Sequence, residues 1–194
     1  ESGITRDGSG LVSTWQDSSG NNNHCVQSTT SAKPTYQPNQ FGAMPGLVFD
    51  GGDWLTGGAG MSTGSYTKVV RVSMPDFTSP SGNIVSSSAT TGTRHALFMN
   101  ATPKPRMWHN AGSGFVISNT DMLANTAYII SATYDSTNKA GALYLNGTPV
   151  GTGTATANTT DATYQLGRAY ESAKQKSEAV TAYRETVALS RFHA

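Results

Sequence analysis

Apolar positions along this chain come in short runs, and clusters of turn-forming residues separate the runs. In the first third, Leu11–Trp15 and Gly46–Phe49 are apolar, while Asp17–Asn23, Lys33–Pro38 and Asp50–Asp53 are dense in Asp, Asn, Gly, Pro and Ser. Strands bounded by such clusters are the rhythm of an all-β sandwich or barrel. Further on, Tyr66–Ser73 and Asn83–Ser86 carry β-branched residues that fit a pleated surface. Arg94–Asn100 and Arg106–Asn110 flank the short segment Ala101–Pro105, which predicts a hairpin with that segment as its loop. Tyr128–Tyr134 is the clearest strand. Ala142–Leu145 runs into Asn146 and Gly147, the pair that favours a two-residue hairpin turn, and Thr148–Val150 follows. Thr163–Leu166 is the last strand this pattern predicts. No helical stretch alternates with the strands, so a parallel βαβ sheet is excluded and the expected fold class is antiparallel all-β.

Beyond Arg168 the pattern changes. Tyr170–Leu189 lacks Gly and Pro, is rich in helix formers, and places Tyr170, Ala173, Ser177, Val180, Tyr183 and Val187 at helical spacing. The same tail offers Arg184–Phe192 as a returning strand, without which a sandwich would expose an edge. The domain reading is therefore a sandwich over residues 1–168 and a C-terminal segment 169–194. That segment ends either in the last strand of the same sandwich or as a helical arm.

Composition narrows the class. The chain has 194 residues, enough for one domain with a sizeable core, and 21 of them are Gly. Only 13% are charged, against roughly 25% in an average soluble domain, which suits a loop-rich β protein. The net charge of +1 and the scatter of Lys and Arg argue against a nucleic-acid footprint. No apolar stretch approaches the roughly 20 residues of a membrane span. The single cysteine, Cys25, cannot form an internal disulfide, so stability must come from packing. A chain that begins at Glu1 without a signal-like segment is expected to be a mature form, a processed product or an excised domain.

Three clusters in order carry a resemblance. Gly10–Asn21 (GLVSTWQDSSGN) is similar to the opening segment of laminin G-like, concanavalin A-like domains. Pro45–Leu55 (PGLVFDGGDWL) resembles their strand and turn built on Phe-Asp-Gly, and Ala140–Gly151 (AGALYLNGTPVG) with Tyr164–Arg168 (YQLGR) resembles their hairpin and following strand. The resemblance implies a two-sheet jelly-roll sandwich, with Trp15 and Trp54 as core residues of the family's structural segments. It implies much less about function, since this fold hosts lectins, adhesins, spacers, hydrolases and lyases.

Catalysis has little to stand on. Glycosidases of this fold carry two or three carboxylates on one strand so that acid and nucleophile face one cleft. Here no Glu lies between Glu1 and Glu171. The Tyr, Gln, His and Arg strands of alginate-type lyases are missing, and Lys139–Tyr144 reads as a turn leading into a strand. No Ser-centred nucleophile elbow occurs, and the four histidines form no metal-ligand motif.

Binding is better supported. Strand alternation divides the predicted hairpin into two faces. Arg94, Phe98, Asn100, Arg106, Trp108 and Asn110 share one, and His95, Leu97, Met99, Met107 and His109 share the other. The first face offers aromatic rings to stack on sugar C–H groups and amide and guanidinium donors for hydroxyls. Alternation alone leaves both orientations open: Phe98 and Trp108 could equally face the core, with His and Met outward. His95 and His109 would be neighbours across the hairpin, more simply as a packed pair than as a metal site.

Calcium is the one cofactor the resemblance brings in, because laminin G-like modules and legume lectins hold it at loop rims. Asp50 and Asp53, or Asp17 with Asn21 and Asn23, supply oxygen ligands of the right hardness. The same residues in tight turns bond their own backbone without any metal. The expectation is a non-catalytic carbohydrate-binding or adhesion module of a bacterial or phage surface or secreted protein. Its partner would be a glycan or cell-surface polysaccharide. The alternative is a virion or filament subunit whose partners are copies of itself or virion neighbours.

Overall fold

The structure, a computed structural model, describes residues 3–57, 64–78, 81–86, 95–109 and 115–155. Among the described residues it is all-β, with antiparallel pairing and one short 3-10 turn at Thr30–Ala32. The chain divides into two compact units, Glu1–Met61 and Ser62–Ala194. The predicted strand at Thr163–Leu166 and the whole segment 169–194 lie outside the described residues.

The first unit holds β1 (Ile4–Arg6), β2 (Val12–Trp15), β3 (Cys25–Val26), β4 (Thr35–Phe41), β5 (Met44–Val48) and β6 (Thr56–Gly57). Their order is β1-β2-β3-β6 in one sheet, with β4 and β5 as a separate hairpin. Val12 is the buried anchor, and its N–H donates to the Pro34 carbonyl at 2.8 Å. The expected turn at Lys33–Pro38 is instead the start of β4. Pro38 is tolerated because the β4–β5 register shifts between Gln37 and Phe41, where the missing N–H breaks no ladder. Trp15 and Trp54 are not core residues: they are 51% and 53% exposed. Trp15 ends β2, beyond the buried Val12. Trp54 is held through its backbone, with its N–H donating to the Ala32 carbonyl and its carbonyl accepting from the Gln27 side chain.

The second unit holds β7 (Tyr66–Val72), β8 (Ser81–Ser86), β9 (His95–Asn100), β10 (Thr102–His109), β11 (Val116–Ile117), β12 (Tyr128–Asp135), β13 (Ala140–Leu145) and β14 (Thr148–Thr154). They form two four-stranded sheets, β11-β10-β9-β8 and β14-β13-β12-β7. The core lies between these sheets: Leu97, Met99 and Met107 from one meet Ile130, Ala132, Tyr134, Leu143 and Leu145 from the other. Alternation in β12 buries Ile130, Ala132 and Tyr134 in turn, as a half-buried strand requires. The segment Ala101–Pro105 is not a loop beyond its first residue. From Thr102 it belongs to β10, and Pro103 and Pro105 sit where the β9–β10 register shifts between Thr102 and Arg106. Asn146 and Gly147 make the expected turn with φ of 50° and 83°, both left-handed.

Glycines set how closely the two sheets meet at one corner. Phe115–Ile117 crosses β13 and β14 where Gly141, Gly151 and Gly153 leave no side chain, and the Asn119 N–H closes the corner on the Val150 carbonyl at 2.7 Å. A Cβ on Gly153 would collide with the Phe115 carbonyl, a backbone atom that cannot step aside. Gly153→Ala is expected to destabilise the protein by about 2–3 kcal/mol through overpacking. Gly147→Ala meets no atom but forces a left-handed φ, at a cost of about 1 kcal/mol. Urea midpoints of the two variants check this ranking.

Candidate functional site

The β9–β10 hairpin decides which of its faces is buried. Its register sets His109 opposite His95, Met107 opposite Leu97, Trp108 opposite Ala96 and Arg106 opposite Phe98. Leu97, Met99 and Met107 belong to the core, so the histidine and methionine face points inward, and Phe98, Asn100, Arg106 and Trp108 lie on the opposite face. The Phe98 and Trp108 rings pack 5.3 Å apart, tilted by 48°. Phe98 is only 5% exposed and serves as the backing of Trp108, while Trp108 and Arg106 are half-buried. The Arg106 Nη2 donates to Thr102 Oγ1 at 3.3 Å, and its Nε is buried with no hydrogen-bond partner among the described residues. Asn100 turns its Oδ1 to the Ala101 N–H at 3.0 Å, a local bond of the turn. Arg94 and Asn110 lie outside the described residues.

Two neighbours on this face were not expected. Asn83 of β8 pairs with Phe98 and is exposed, and Ile117 of β11 pairs with Arg106 and is also exposed. β11 is only two residues long, and which strands lie beside β9 and β10 is not given by the local pattern of any one of them.

Behind this face lies a polar cluster between the two sheets. The His95 and His109 rings are 3.7 Å apart, and His109 is 4.0 Å from the Tyr134 ring. The Tyr66 hydroxyl and His109 Nε2 are hydrogen-bonded at 2.7 Å. Lys68, 5% exposed, reaches the His95 carbonyl with its ammonium and stands 4.8 Å from the Tyr66 ring centroid. Burial, with the neighbouring positive charge of His95, Lys68 and Lys139, pushes the His109 imidazole down to about 3. Burial alone takes Lys68 down to about 8, and burial beside Tyr134 holds the Tyr66 phenol well above its usual range. Lys68 was legible in one respect: in YTKVVRV it occupies the phase of Tyr66, Val70 and Val72, the inward positions of β7, whereas Val69 points out and is 62% exposed.

The expected calcium ligands are engaged locally. Asp53 Oδ2 accepts the Asp50 N–H at 3.1 Å, and Asp50 Oδ1 accepts the Gly52 N–H at 2.8 Å. Asp17 accepts from the Ser19 and Asn23 N–H groups and from the Ser19 hydroxyl, bonds that lower its carboxyl to about 2. Among the described residues no three His, Cys, Asp or Glu side chains gather as a metal site. On the outward side of β7, β12, β13 and β14 lies an open depression of about 750 Å³, edged by Ser65, Thr67, Thr133, Asp135, Thr152 and Thr154. Asp135 there accepts from Thr137 and Asn138 of its own turn.

Residues 49–183 match the laminin G group of the concanavalin A-like lectin/glucanases superfamily. The chain belongs to that superfamily. No curated protein and no solved structure matches it. The antiparallel sheets of this concanavalin A-like chain agree with the membership, and the superfamily's two named activities, sugar binding and glucan cleavage, frame the reading of the β9–β10 face.

The buried ammonium gives a direct test of this interior. Between pH 8 and 10.5 the unfolded chain holds a proton on Lys68 that the folded chain has released, so stability rises with pH across that window. Lys68→Met should stabilise the protein at pH 7 by about 2 kcal/mol, and chemical denaturation from pH 7 to 10.5 should show the wild type approaching the variant.

Proposed function

We propose that this chain is a non-catalytic carbohydrate-binding or adhesion module, displayed on a bacterial or phage surface or secreted, that takes a glycan or cell-surface polysaccharide. The observation that carries the reading is the outward face of β9–β10. It combines a half-buried Trp108 backed by Phe98, an exposed amide at Asn83, and a guanidinium with one buried donor unused among the described residues. A ring stacked on sugar C–H groups beside fixed polar donors is the minimum a sugar subsite needs. Arg94 and Asn110 would extend it. Superfamily membership supports the same ligand class.

Among the described residues, the carboxylates favour binding over cleavage. Asp7, Asp17, Asp50, Asp53, Asp76 and Asp135 each accept hydrogen bonds from their own turns, and Asp121 pairs with Lys104 at 3.4 Å. Glycoside hydrolysis requires two carboxyl groups facing one bond, and these groups shape loops instead. A second reading, a virion or filament subunit, draws on Val69 and Ile129, two apolar side chains exposed on the outward face of β7 and β12.

A glycan array probed with the wild type and with Trp108→Ala, with and without calcium, tests the proposal. Binding that falls by about tenfold or more in the variant, with the fold retained, is expected. Binding that disappears on chelation would bring the Asp50 and Asp53 turn into the site. Absence of binding under both conditions would favour the subunit reading, and sedimentation would then show assembly.

A further inference from the structure

One positive charge on the outward side of β10 has no counter-ion among the described residues. Burial alternates along β10, with Pro105 and Met107 inside, so Lys104, Arg106 and Trp108 share the outward side. Lys104 is matched: its ammonium stands 3.4 Å from Asp121. Arg106 is not. Of the other described carboxylates in the second unit, Asp76 accepts from Thr78, and Asp135 from Thr137 and Asn138, each within its own turn. The guanidinium is nevertheless held in place. Its Nη2 donates to Thr102 Oγ1, its Nε is buried without a hydrogen-bond partner among the described residues, and the side chain as a whole is half-buried. Taking more water from such a cation is costly unless an anion arrives with the group that displaces the water. The ligand that covers this face therefore decides whether the charge is compensated.

We propose that the β9–β10 face selects glycans that carry a carboxylate, as uronates and sialates do, with Arg106 taking the carboxylate and Trp108 the sugar ring. The inference rests on the sugar-binding reading of this face and adds the charge of its ligand. Residues two apart on one side of a strand lie about 7 Å from each other, a separation that one acidic sugar can bridge. A planar guanidinium meets both oxygens of a carboxylate with parallel N–H···O bonds, a match that a neutral hydroxyl does not offer. A neutral sugar stacked on Trp108 and reaching over Arg106 would strip water from the cation and return no charge. A carboxylated sugar supplies the missing counter-ion. The bond to Thr102 holds the guanidinium beforehand, so less side-chain freedom is lost when the ligand arrives. Asp121 offsets Lys104 on the same side, which leaves the discrimination to Arg106. Asn83, exposed beside Phe98, offers its amide to ring hydroxyls.

Paired glycans test the charge directly on the full chain. An array would carry uronate- and sialate-bearing oligosaccharides, each beside its own methyl ester, together with neutral and sulfated ones. The wild type should bind carboxylated members and lose roughly ten- to a hundredfold in affinity for their esters, which keep the ring and remove the charge. Arg106→Gln should lose a similar factor on the acids and bind acid and ester alike. That equality is a coupling between one side chain and one ligand group, and a general loss of stability would not produce it. If Arg106→Gln fails to fold, the comparison of acid with ester on the wild type decides alone. Neutral glycans bound as tightly as acidic ones, with binding lost in Trp108→Ala and kept in Arg106→Gln, would overturn the charge selection and leave the sugar site standing. Preference for sulfated over carboxylated members would overturn it as well. Binding to no member of the array would overturn the sugar site and this inference together.

Discussion

The two sheets of the second unit depend on how close they can come, and glycine sets that distance. Where β11 crosses β13 and β14, Gly141, Gly151 and Gly153 present bare backbone to Phe115, Val116 and Ile117. That approach places Val116 in the core and Phe115 against His109 and Tyr134. It also fixes the level of β10, whose Met107 carbonyl accepts the Phe115 N–H. The depth of the core, the crowding of the histidine cluster and the aim of Trp108 all follow from this contact. Close-packed interiors transmit such displacements rather than absorbing them.

The sequence was most readable where local chemistry decides the structure. Alternation in Tyr128–Tyr134, the Asn146–Gly147 turn and the apolar phase of Tyr66–Val72 each specify an element without help from distant residues. Proline misled in two places. By themselves Pro38 and the pair Pro103 and Pro105 predict a turn and a loop, but they sit at register breaks where a strand can do without an N–H. A register break is a property of two strands together, and neither strand alone reveals it.

The candidate site shows the same divide. Alternation grouped Phe98, Arg106 and Trp108 correctly on one face, yet which face is buried depends on what the opposite sheet supplies. Tyr66, Lys68 and Tyr134 supply polar partners that make His95 and His109 acceptable inside. The aromatic face is thereby left outward. Trp15 and Trp54 illustrate the converse, since large aromatic residues in apolar segments were expected inside and are about half exposed. The strand of Trp15 buries the smaller Val12, and Trp54 sits in the loop before β6, so hydrophobicity alone does not determine orientation.

The β4–β5 hairpin forms a two-stranded sheet of its own, with Pro38 on one strand and Pro45 on the other. Each proline lacks an N–H, so a strand from another molecule finds an interrupted ladder on either side. At high local concentration such interruptions oppose edge-to-edge fusion of neighbouring molecules, so the exposed hairpin is a poor template for a fibril.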